Sequence, residues 1–153
     1  MMKAFDYLDS IRAMEIRIQL KARQAQHLRD TMSNITAPMD KEQVSHTKNV
    51  SAMQDAMAMV LDLEEEISQL KNMLMKRRKE IMTILDQMKP EYADVLSGRF
   101  IEGKSTKELG NIMFLSMRSI ERRLNEALDA FQLMLNDLIE HGDKPWPPPR
   151  ITP

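Results

Sequence analysis

Apolar residues return every seven positions from Met53 to Met88, and that beat leaves the chain few folds to adopt. Met53, Val60, Ile67, Leu74, Ile81 and Met88 hold one seam position, while Ala56, Leu63, Leu70 and Ile84 hold the other. Arg77 is the exception in the second series. A seven-residue repeat gathers its apolar members on one narrow stripe only when the backbone is helical. The expectation for about 52 to 88 is one long helix, packed lengthwise on another.

The partner is found upstream. From about 4 to 35, Ala4, Ile11, Ile18, Ala25 and Met32 keep one seam position, and Tyr7, Met14, Leu28 and Ile35 the other, where Lys21 interrupts. At about 1.5 Å per residue this helix would run roughly 45 Å. Between the two lies a polar stretch, about Ser33 to Ser51, without periodicity and with Pro38 disfavouring helix at Ala37. It is read as a long flexible connection that lets the helices pack antiparallel. Two helices alone bury little surface, which favours a dimer or higher assembly through residues 1–89.

Two charge runs lie within the second helix: Asp62 with Glu64, Glu65 and Glu66, then Lys76-Arg77-Arg78-Lys79. The plain reading is solvated faces and interhelical ion pairs; the alternative sets the basic run against DNA phosphate. Many of the 15 methionines, among them Met14, Met32, Met53 and Met88, sit at seam positions, where ordinary core filling accounts for them.

Composition supports an all-α chain. Of 153 residues 29% are charged and 42% apolar, with 4 glycines and 5% aromatics, and no period-two run rich in Val, Ile or Thr suggests a sheet. The formal net charge of -1 excludes a globally basic nucleic-acid binder, so any such affinity must be local. There is no cysteine, hence neither disulfide framework nor thiolate metal site. With no bilayer-length apolar run and no signal-peptide core at Met1-Met2-Lys3-Ala4-Phe5-Asp6, the expected setting is soluble and cytoplasmic, with no membrane partner. His27, His46 and His141 are scattered without metal-ligand spacing, and no phosphate loop or nucleophile motif occurs. No enzyme activity, cofactor, metal or small-molecule substrate is expected.

Pro90 ends the long helix and opens a unit expected to span 90–140. Its first helix, about 91 to 101, buries Tyr92, Val95, Leu96 and Phe100 and breaks at Gly103. Two short helices follow. Ser105 and Ser116 stand at their N-cap positions, and Glu108, three residues after Ser105, completes a capping box. Gly110 lies inside the first of them, where glycine costs about 1 kcal/mol relative to alanine; it suits a point where two helices cross. Leu109, Met113, Leu115 and Ile120 would form the small core between them. At roughly 100° per residue, Arg118, Glu121, Arg122 and Asn125 share one arc of the last helix, and Ile120, Leu124, Ala127 and Phe131 the opposite one. That apolar back continues to about Leu138, more than a lone reader needs, so the helix is expected to pack on the long helices or on a second chain. It should run to about Glu140 and end at Gly142. Residues 141–153, with Trp146-Pro147-Pro148-Pro149, form an extended Pro-rich tail.

A tight turn before a helix with an arginine-bearing outer face is the pattern of a helix-turn-helix DNA reader. From Arg99 to Arg123 there are six Lys or Arg and three Glu, a local positive excess. Arg118 and Arg122 are the expected groove contacts, with Glu121, Asn125 and Ser119 as secondary readers; Arg99, Lys104 and Lys107 would touch phosphate. Phe114 occupies the turn position usually given to glycine, which implies either a wider turn or an aromatic ring filling a gap.

These residues resemble sigma factor region four. Lys107-Glu108-Leu109-Gly110, then Leu115-Ser116 and Ile120, match its pattern of Glu-Glu-Ile-Gly, a turn, and Val-Ser-x-x-x-Val, whereas Phe114 and Arg123 depart from it. A wider likeness covers about 5 to 132. Tyr7-Leu8-Asp9-Ser10-Ile11-Arg12, Leu28-Arg29, Leu61-Asp62-Leu63-Glu64, Tyr92, Val95-Leu96 and Arg99 to Ser105 look like phage and prophage proteins of Gram-positive bacteria, akin to the ArpU and RinA late transcription regulators. The resemblance implies a regulator that binds duplex DNA, with room for contact to RNA polymerase. Two other readings stay open: a DNA-packaging protein similar to a small terminase subunit, and a helical interaction module without DNA binding.

Overall fold

The computed structural model describes residues 2–36 and 46–141, and every regular element among them is helical. Helix α1 spans Ala4–Thr36 and α2 spans His46–Leu85, the two arms of a long hairpin. Both run further into the connection than its polar composition suggests: 33–36 and 46–51 are helical. Three polar residues at the end of α1 and five at the start of α2 cost little once the nucleus exists. Residues 37–45, with Pro38, lie outside the described residues, as do Gly142 and the Pro-rich tail with Trp146.

By contacts the chain divides into two compact units. One comprises residues up to Arg12 and from Arg77 onward, the other Ala13–Lys76. In the second unit, α1 and α2 face each other along the heptad seam. Ala25, Ala56, Val60 and Leu74 are buried there, and Ile18, Leu28, Leu63, Ile67 and Leu70 half-buried. Lys21, which interrupts the beat, forms an ion pair with Glu66, and Arg29 pairs with Glu64. Those pairs place much of the acidic run in interhelical contacts.

The first unit holds the larger core. After α2 the chain turns through Met88, and Pro90 starts helix α3, Pro90–Leu96, where its fixed φ suits the first helical position. Helix α3 leads directly into a π-helical turn, Ser97–Ile101, closed by Glu102 N–H donating to the Ser97 carbonyl at 2.9 Å. Helix α4 is Thr106–Met113 and helix α5 is Met117–His141. Leu8 and Ile11 of α1, Ile81 and Ile84 of α2, Val95 and Leu96 of α3, Leu109 of α4, and Ile120, Phe131 and Leu135 of α5 are fully buried. Tyr92 and Phe100, expected inside, are only half-buried.

Arg77, the charged break in the seam, is held by a polar clip at the base of the hairpin. Its Nη1 donates to Ser10 Oγ at 2.7 Å, its guanidinium lies 4.3 Å from the centre of the Tyr7 ring, and its Nε is 3.7 Å from Glu80. The Tyr7 hydroxyl donates to Glu80. As position rises along α1 from 7 to 10, its partner falls along α2 from 80 to 77, the mark of an antiparallel pair. The methionines divide: Met88 is buried and Met14, Met32 and Met53 are half-buried, but Met57, Met59, Met73, Met75 and Met82 are exposed. Core filling therefore accounts for those on the seam but not for these five.

Candidate nucleic-acid interface

Helix α4 begins where its sequence places it. Ser105 is extended, and its Oγ accepts from the Glu108 N–H at 3.1 Å, satisfying a donor that the first turn leaves unpaired. Ser116 does the same for α5, its Oγ accepting from the Ser119 N–H at 3.1 Å. Three residues, Phe114 to Ser116, separate the helices.

The turn is tight, and Phe114 fills no gap. It takes the left-handed conformation, φ 56 and ψ 42, with its ring 93% exposed, so both readings of this residue made from sequence are corrected. The backbone here requires what glycine provides at many helix ends, yet the residue is aromatic. Leu115 N–H donates to the Gly110 carbonyl at 2.9 Å, drawing the turn back onto α4. A Cβ on Gly110 would lie 2.7 Å from the Leu115 carbonyl oxygen but 3.9 Å from Ile120. The close approach is thus to the backbone of the turn rather than a crossing of two helices. Gly98 has a matching role that sequence reasoning missed: a Cβ there would lie 2.6 Å from Leu109, the buried side chain that seats α4 on the π-helical turn.

Helix α5 separates its faces as expected. Ile120, Ala127, Phe131 and also Leu135 are buried and Leu124 is half-buried, whereas Arg118, Glu121, Arg122 and Asn125 are all exposed. The long apolar back packs on α3 and, further along, meets α1. The Tyr7 and Phe131 rings lie 6.1 Å apart, and the Ala4 N–H donates to Gln132 Oε1 at 2.6 Å. The exposed arc at the start of α5 thus belongs to a helix that is tied to α1 further along, at Phe131 and Gln132.

The remaining candidates differ in availability. Lys107 is exposed. Lys104 pairs with Glu102 at 2.6 Å, and that hydrogen bond holds its pKa above the ordinary lysine value. Arg99 is half-buried, its guanidinium 5.9 Å from the centre of the Phe100 ring. Ser119 is half-buried and shares a 2.9 Å hydrogen bond with the Ser116 hydroxyl, so it serves the cap. Of the basic run, Arg77 belongs to the clip, and Lys76, Arg78 and Lys79 are exposed. Two exposed apolar groups were overlooked: Ile112 and Met117, which with Phe114 surround the turn beside Arg118. Periodicity gave no signal for Met117: at roughly 100° per residue it falls beside Leu124 on the apolar arc, and it is exposed on the first turn of α5 next to Arg118.

Among the described residues no group of three or more His, Asp or Glu could hold a metal ion, and no helix is long and apolar enough to cross a membrane. The chain matches no known protein family, no curated protein and no solved structure.

Proposed function

We propose that this chain binds duplex DNA through a helix-turn-helix formed by α4 and α5. The observation that carries the reading is the exposed arc Arg118, Glu121, Arg122 and Asn125 at the start of a capped helix, directly after a three-residue turn. In this motif the N-terminal end of the second helix enters the major groove. Arg118 and Arg122 carry forks that fit the guanine O6 and N7 acceptors, and Asn125 has the donor and acceptor that fit adenine. Met117 adds an apolar surface of the kind that meets a thymine methyl. Lys107 is the best-placed phosphate contact, since Lys104 and Arg99 are engaged locally. The setting is a phage or prophage transcriptional regulator of the cytoplasm, as the wider resemblance to phage and prophage proteins implies, and the likeness to sigma region four leaves room for contact with RNA polymerase. The long helices join copies of the chain.

The test is selection of bound duplexes from a random pool by the full chain, followed by titration of the selected site. Arg122→Ala should lower affinity for that site roughly tenfold to a hundredfold, matching about 1–3 kcal/mol for a lost bidentate base contact, and relax preference at one base pair. If no duplex is enriched at about 50 mM salt and Arg122→Ala changes nothing, the chain is an interaction module instead. A ring of eight or more copies would favour the packaging reading.

A further inference from the structure

The Ala13–Lys76 unit leaves an open groove of about 700 Å³ along one side of its seam. Its floor is apolar: Leu20 and Leu28 come from α1, and Met59 and Leu63 from α2. Leu20 is 47% exposed and Met59 54%, both on the outer flanks of a seam whose own members are mostly half-buried. A stripe of this kind on a helix pair is normally covered by a further helical layer. The walls differ in charge. Arg23 and His27 stand on the α1 wall, and Asp62 on the α2 wall beside Glu66, which Lys21 of the same hairpin already pairs.

We infer that this groove is the contact face for a second copy of the chain, forming a two-fold four-helix bundle in which α1 of each copy lies against α2 of the other. The charge pattern selects that occupant. A two-fold axis brings each patch onto its own equivalent, so a face basic on one wall and acidic on the other becomes complementary to itself. Arg23 of each copy then meets the acidic wall carrying Asp62 in the other, and Leu20 and Leu28 of each copy pack on Met59 and Leu63 of the other. Packing α1 on α1 would instead oppose like charges. This rests on the reading of the long helices as an oligomerisation element and is independent of whether the chain binds DNA.

The test is sedimentation velocity of the full chain without DNA at about 50 mM salt, where surface charge pairs are least screened. The wild type should sediment as a dimer. Arg23→Glu alone and Asp62→Arg alone should each dissociate at least tenfold more readily, since each opposes like charges in its own homodimer. An equimolar mixture of the two should recover the dimer. In the mixed pair the introduced glutamate of one copy faces the introduced arginine of the other, and the remaining Arg23 faces the remaining Asp62. Charges facing each other within one hairpin would show no such recovery on mixing. Leu20→Glu should also give monomer, and its helical circular dichroism reports whether the hairpin stays folded. A wild-type monomer would overturn both the inference and the oligomerisation reading. A dimer indifferent to all three substitutions, a mixture that fails to recover, or a larger ring would overturn this face and leave oligomerisation standing.

Discussion

Phe114 is held in a left-handed conformation that its side chain opposes and that the backbone hydrogen bonds of the turn to the Gly110 carbonyl support. A non-glycine residue in the left-handed region costs of order 1–3 kcal/mol, and a ring 93% exposed recovers almost nothing by burial. Glycine at this site would remove the clash between Cβ and carbonyl at the expense of a more flexible unfolded chain, about 0.5–1 kcal/mol. The first effect is the larger. Phe114→Gly should therefore stabilise the fold by about 1 kcal/mol, seen as a higher denaturant midpoint at unchanged slope. A lower midpoint would mean that the ring makes contacts which its exposure denies.

At the scale of elements, the heptad seam was legible almost position by position, because burial along two packed helices follows local periodicity. The caps at Ser105 and Ser116, and the two faces of α5, were legible for the same reason: each is set within one or two turns of its own helix. The clip of Tyr7, Ser10, Arg77 and Glu80 was not. Arg77 looked like a defect in the beat, and only the pairing of α1 with α2 supplies the ring, hydroxyl and carboxylate that hold it. The same limit hid Gly98, whose partner Leu109 lies beyond the π-helical turn. The candidate interface was legible as an arc of α5, but whether Lys104 and Arg99 stay available depends on Glu102 and Phe100, which composition does not weigh.

The clip also carries a pH signature. Burial, first, and then the hydrogen bond to Glu80 and its charge push the Tyr7 hydroxyl well above the ordinary tyrosine value of 10.0, with Arg77 opposing. A group whose folded pKa lies above its unfolded value stabilises fully below the unfolded value and loses that contribution as pH rises. Tyr7→Phe should cost about 1 kcal/mol at pH 7 for the lost hydrogen bond. Above pH 10 the unfolded wild type releases a proton that the folded protein keeps, so its advantage over Tyr7→Phe should shrink by about 1.4 kcal/mol per pH unit. Paired urea unfolding curves from pH 8 to about 11.5 measure that difference directly. A gap that holds constant above pH 10 would mean that the hydroxyl is not shielded as the clip requires.

For the whole molecule, the decisive number is a net charge of -1. A near-neutral chain gains little from long-range attraction to DNA, so the salt dependence of the proposed binding would come from a few local phosphate contacts. Lys107, exposed on the first turn of α4, should be one of them. Each phosphate contact contributes close to one unit to the slope of log K against log salt. If two chains join through their hairpins and both readers engage one duplex, Lys107→Ala removes that contact twice, and the slope should become shallower by about 2. A change near 1 would mean that one reader of the pair touches DNA. An unchanged slope would take Lys107 off the DNA face and leave the arginines of α5 to supply the electrostatic part of binding.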